Sequence, residues 1–160
     1  MIKADELQEC RPQVRCKNGE EITLSKVQDA IMSSAQQKGI PVEFRKDQVK
    51  SGGLFNSSVE DCVVMFHPDH ERDYLNFCIR VKHQGTYAFV IINDFGQSKQ
   101  LGMINFAEDS KADRRGKSMS YKVGSMIAQG ILTIGKNTEK AENEQNYYNC
   151  VADIFDETFS

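Results

Sequence analysis

The chain has 160 residues, 39% hydrophobic and 27% charged, which is apolar material for one domain with a real core and too much for a disordered polymer. Its formal charge is −3, and no apolar run approaches bilayer-spanning length, which argues against a strongly basic nucleic-acid binder and against any membrane partner. The acids concentrate in the last segment, Glu139, Glu142, Glu144, Asp153, Asp156 and Glu157 against the single base Lys140, so the rest of the chain is near neutral. Five scattered cysteines, Cys10, Cys16, Cys62, Cys78 and Cys150, lack paired C-x-x-C spacing and read as reduced thiols of a cytoplasmic protein.

Residues 1–20 carry few apolar side chains and are interrupted by Pro12 and Asn18-Gly19, so they are expected to be a loosely ordered lead-in to a single domain spanning 1–160. A helix over about 25–38 follows, with Thr23 or Ser25 as N-cap, Val27, Ala30, Ile31 and Ala35 on its apolar side and Gly39 as a left-handed C-cap. Val42 to Arg45 reads as a short strand and Ser51-Gly52-Gly53 as a loop. The nearly continuous apolar run Cys62 to Phe66 reads as an interior strand buried on both faces.

The clearest pattern lies between Leu75 and Ile92. Leu75, Phe77, Ile79 and Val81 alternate with Asn76, Cys78, Arg80 and Lys82, and after Gln84-Gly85 a second run, Thr86 to Ile92, returns. Alternation at period two marks a half-buried strand, and a glycine-bearing dipeptide between two such runs marks a hairpin. A turn at Gln84-Gly85 pairs His83 with Thr86 and Phe77 with Ile92. One face is then wholly apolar, while the other mixes Arg80 and Lys82 with Tyr87, Phe89 and Ile91.

Residues 94–117 turn polar, a length typical of functional or flexible connections. Met119, Val123, Met126, Ile127, Ile131 and Ile134 recur at helical spacing with Lys122 as the one charge between Met119 and Gly135. A helix over 118–134 without a solvated face belongs at the centre of the fold or in a homodimer contact through 119–135, with a strand as the alternative for its β-branched end, Ile131 to Ile134. A final helix over about 138–157 buries Tyr147, Cys150, Val151, Ile154 and Phe155 and turns Glu142, Asp153 and Asp156 outward. The expectation is therefore an α+β domain: an antiparallel sheet of three to five strands around the 74–93 hairpin, with helices packed mainly on one face.

No catalytic set is visible. Asp94-Phe95-Gly96 matches a kinase triplet in letters only, and Gly116-Lys117-Ser118 lacks the first glycine of a phosphate loop, because Lys111 stands there. Three imidazoles, His67, His70 and His83, with Asp69 or Asp73 as a carboxylate would suit an open zinc site, but the expected register puts His83 at the far end of its strand. The preferred reading is a non-enzymatic cytoplasmic protein that regulates or inhibits a macromolecular partner, with a protein as that partner and no cofactor or metal. Its partner-binding residues are expected to be Arg80, Lys82, Tyr87, Phe89, Arg114, Arg115 and Lys117. The alternatives are a nucleic-acid binder using the same basic and aromatic face with the 111–122 loop, and a metal-dependent hydrolase at His67 and His70.

Overall fold

The computed structural model describes residues 1–98, 101 and 138–159. The helix expected over 118–134, the dimer contact through 119–135, and Arg114, Arg115 and Lys117 lie outside the described residues.

The α+β expectation holds, but the sheet has seven strands rather than three to five. In chain order the elements are β1 (Ile2–Lys3), β2 (Gln8–Glu9), β3 (Val14–Cys16), α1 (Leu24–Lys38), β4 (Glu43–Ser51), β5 (Ser58–Phe66), β6 (Asn76–Gln84), β7 (Tyr87–Phe95) and α2 (Thr138–Thr158). Strands β4 to β7 form an antiparallel meander. The additional strands come from the segment expected to be a loose lead-in: β1 pairs in parallel with β4, while β2 and β3 both pair with β7. Their shortness explains why the sequence hid them, since two or three residues show no period.

The placement of β1 and β2 dictates the shape of the sheet. Between them along the sheet lie β4, β5, β6 and β7. A flat sheet would separate them by about 24 Å at the usual strand spacing. Five residues from Lys3 to Gln8 reach at most about 17 Å even when extended, and a 3₁₀ turn at Ala4–Glu6 shortens them. The sheet therefore curls into a half-barrel, with the N-terminal segment as the strap across its concave side. Ile2, Ala4 and Leu7 on that strap pack against Val49, Cys62, Val64, Phe66, Cys78 and Phe95.

The convex face carries the main core. Phe77, Ile79, Val90 and Ile92 from the hairpin join Val63 and Met65 of β5 beneath α1 and α2. On α2, Tyr148 and Phe155 meet Phe77 edge-on at 6.3 and 5.7 Å between ring centres. Each such side chain contributes roughly 1.5–3 kcal/mol by leaving water. The Leu75 amide donates to the Tyr148 hydroxyl at 2.8 Å, which satisfies a buried backbone donor where β6 begins. The caps of α1 are those the residues predict: Thr23 accepts from the Lys26 amide at 3.2 Å, and Gly39 takes φ 68°.

Two details of the hairpins depart from expectation. The β6–β7 turn is Gly85-Thr86, so Gln84 faces Tyr87 and Ile79 faces Ile92, a slide of two residues from the expected register. Gly85 has φ 60° and Thr86 keeps a negative φ, the pattern that places glycine first in the turn; a Gln84-Gly85 turn would have forced Gln84 into the left-handed region. A slide of two preserves which side chains share a face. Second, β4 is nine residues long and turns through Gly52 to Ser57, well beyond the short strand expected at Val42 to Arg45.

Candidate interaction surface

Register brings Arg80, Lys82, Tyr87 and Phe89 onto one face, as period two requires, with Arg80 opposite Ile91 and Lys82 opposite Phe89. The structure also shows what these groups touch. The Arg80 guanidinium donates to Glu60 on β5 at 3.2 Å and to Asn93 Oδ1 on β7 at 2.8 Å, and its side chain is only 13% exposed. Lys82 lies 3.6 Å from the same Glu60 carboxylate. Asn93 donates in turn to the Gln8 carbonyl at 3.2 Å. Arg15 on β3, the register partner of Phe89, places its guanidinium 5.5 Å from the centre of the Tyr87 ring. This network joins β5, β6, β7, β2 and β3, leaving Arg15, Lys82 and Tyr87 as its exposed members.

Among the described residues the most exposed apolar side chains stand elsewhere. Leu54 and Phe55 occupy the β4–β5 turn with 94% and 93% of their surface in water. In an up-and-down meander the β4–β5 and β6–β7 turns fall at the same end, so Leu54, Phe55, Val59 and Tyr87 mark one end of the sheet. The turn closes tightly through Gly52, which has φ 90° and where a Cβ would sit 1.8 Å from the Asn56 carbonyl oxygen. Only glycine fits. The signal for this tip was present in the sequence: two adjacent large apolar residues inside Ser-Gly-Gly-Leu-Phe-Asn-Ser have no alternating neighbours with which to form a core stripe. Behind the tip, Lys3 and Lys50 are register partners on β1 and β4 and line a cleft of about 420 Å³ with Asp5.

The opposite end holds the histidine loop. The Asp69 amide donates to His67 Nδ1 at 3.1 Å, so the neutral ring carries its proton on Nε2 and offers no lone pair to a metal. Burial and the neighbouring His70 both hold the His67 pKa down, favouring that neutral form. His70 stacks on Tyr74 at 4.0 Å with its Nδ1 3.2 Å from the Asp73 carboxylate. His83 stays at the far end, its Nε2 2.8 Å from the Ile22 carbonyl. Among the described residues no group of three His, Cys, Asp or Glu side chains converges as a metal site. Asp94, from the kinase-like triplet, is buried at 1% exposure on β7.

A further buried group escaped the sequence reading. Glu144 on α2 is fully buried, accepting from the Ser98 hydroxyl, which itself accepts from the Leu101 amide at 3.0 Å. Burial raises the Glu144 pKa to about 7 against the opposing pull of its Ser98 and Tyr148 hydrogen bonds. A cleft of about 720 Å³ lies between the first turn of α1 and β4–β5, its lining including Leu24, Ser25, Gln28, Lys46, Asp61 and Cys62. None of the five cysteines forms a disulfide, Cys10, Cys62 and Cys78 are buried, and no described helix is long and apolar enough to cross a membrane.

Comparison with protein-family models, with curated proteins and with solved structures finds no match to this chain.

Proposed function

We propose that this protein works by binding: a non-enzymatic, cytoplasmic regulator or inhibitor that occupies the surface of a macromolecular partner. The observation that supports this reading is the exposure of Leu54 and Phe55 on a tightly closed hairpin, at the same end of the sheet as Val59 and Tyr87. Side chains of that size held in water contribute nothing to the fold of the free protein, whereas aromatic and aliphatic anchors dominate the energetics of interfaces. The exposed Lys82 and Tyr87 adjoin the same end and belong to the expected contact set. Five cysteines without a disulfide favour a reducing compartment.

The test compares the native chain with a Leu54→Ala, Phe55→Ala double variant, both recovered from the cells that make the protein. The native chain is expected to co-purify with a macromolecule in fixed stoichiometry, and the variant to lose it while its thermal midpoint is unchanged. A native chain that elutes alone at every concentration tried, or turns over a small molecule, would sink the reading.

A further inference from the structure

Two features of the β4–β5 end are unfavourable in the free protein, and a single kind of partner relieves both. The first is the water-exposed pair Leu54 and Phe55. The second is electrostatic: Lys3 and Lys50 are paired in register on adjacent strands, so two like charges face the same cleft. Like charges directly opposite on neighbouring strands are destabilising. The nearby acids offer little compensation. Glu60 is engaged by Arg80 and Lys82, Glu6 accepts from the Lys3 backbone amide at 3.4 Å, and among the described residues Asp5 is the one acid that shares the cleft with the two lysines.

Resting on the binding function proposed above, we infer that the Gly52–Ser57 turn is the docking element, and that its partner is a protein with an apolar pocket for Leu54 and Phe55 rimmed by carboxylates that meet Lys3 and Lys50. An anionic bilayer offers related chemistry but fits less well. One leucine and one phenylalanine bury little apolar surface in a bilayer. That is a marginal anchor for a chain of net charge −3, which an anionic leaflet repels as a whole. A pocket works at short range, where the local lysine pair outweighs the distant acids, and its rim can also cover Val59 and Tyr87.

The experiment places the photoreactive residue p-benzoylphenylalanine at position 55 of the full chain, with parallel chains carrying it at positions 82, 87 and 36, the last on the exposed side of α1. Irradiation in the producing cells is followed by identification and purification of any captured protein. The chain contains no tryptophan, so Phe55→Trp provides a single fluorescent reporter against which that protein is titrated. The expected result is an adduct from position 55 on pocket residues flanked by Asp or Glu, and a blue shift of the tryptophan on binding. Leu54→Ala and Lys50→Glu should each weaken affinity by about tenfold or more without lowering the melting midpoint. A blue shift with phosphatidylcholine–phosphatidylglycerol vesicles and no protein adduct, an adduct only to a second copy of the chain, or affinity indifferent to both substitutions would overturn the inference. Capture from position 82 or 87 alone would overturn the tip while leaving the binding function standing; no adduct from any position would overturn both.

Discussion

The carboxyl of Glu144 hydrogen-bonds to the hydroxyl of Ser98, and neither side chain is reached by solvent. The contact ties α2 to the segment that follows β7, and it makes the fold sensitive to protons. Burial has raised the Glu144 pKa from 4.5 to about 7, so the folded state holds the proton more tightly than the unfolded chain. The sign follows: stability from this group is complete below about pH 4.5, is lost as pH rises through about 7, and changes no further above that. The full span is on the order of 3 kcal/mol. Urea midpoints at pH 5 and pH 8 are expected to show this loss in the native chain, and Glu144→Gln is expected to remove most of the difference by gaining stability at pH 8. A variant with the native pH slope would show that the carboxyl ionises freely.

Gly19 anchors the chain between β3 and α1 to the β6–β7 turn, its amide donating to the Thr86 carbonyl at 2.8 Å. A Cβ there would lie 2.3 Å from the Ala88 nitrogen and the Tyr87 carbonyl carbon, both backbone atoms that cannot swing aside. Gly19→Ala is expected to cost about 1–3 kcal/mol in denaturant unfolding, the range for forced overpacking. Hydrogen exchange should localise the loosening to Gly19–Glu21 and the tip of the hairpin. An unaltered midpoint would mean that the segment rides above β7 without touching it.

Arg80 has two internal partners, Glu60 and Asn93, and Arg15 lies over Tyr87, so little of this face is free to stack bases or neutralise phosphates. Labelled oligothymidylate is expected to show no binding by anisotropy at physiological salt. Submicromolar affinity there, with a steep salt dependence reduced by Lys82→Ala, would bring the nucleic-acid alternative forward. Arg80→Ala, in contrast, is expected to destabilise by roughly 1–3 kcal/mol through the lost hydrogen bonds to Glu60 and Asn93.

With the His67 Nδ1 lone pair taken by the Asp69 amide, His67 and His70 are not expected to hold zinc together. Protein purified without chelator should contain well under one equivalent by elemental analysis, and added zinc should leave the thermal midpoint unmoved. One tightly held equivalent, lost on His67→Ala with His70→Ala, would restore the metal-dependent hydrolase.

Legibility differed from element to element for identifiable reasons. The β6–β7 hairpin and α1 were readable because their determinants are local: alternation between Phe77 and Val81, the Thr23 hydroxyl at a helix start, and a glycine in the left-handed region at its end. The hairpin register slid by two because the sequence offers glycine without saying which turn position it takes. Of the expected partner-binding residues, Lys82 and Tyr87 are exposed, whereas Arg80 is tied to Glu60, twenty residues away and visible only once β5 lies beside β6. The tip at Leu54 and Phe55 was passed over as loop, since exposure is a property of the folded surface and leaves no periodic trace.

What the sequence alone determined, then, is the set of strands and helices whose side chains repeat at period two or 3.6, together with the faces they bury. Tertiary structure decided the rest. The strap of β1 and β2 exists only because two sheet edges come within reach of five residues, and the curl that brings them there depends on four strands already being paired. Glu144 looked like one more acid of a solvated tail until α2 laid it against Ser98. In each case the deciding term is an interaction between residues distant in sequence, and a linear pattern carries no record of which distant backbone or side chain will replace water as the neighbour.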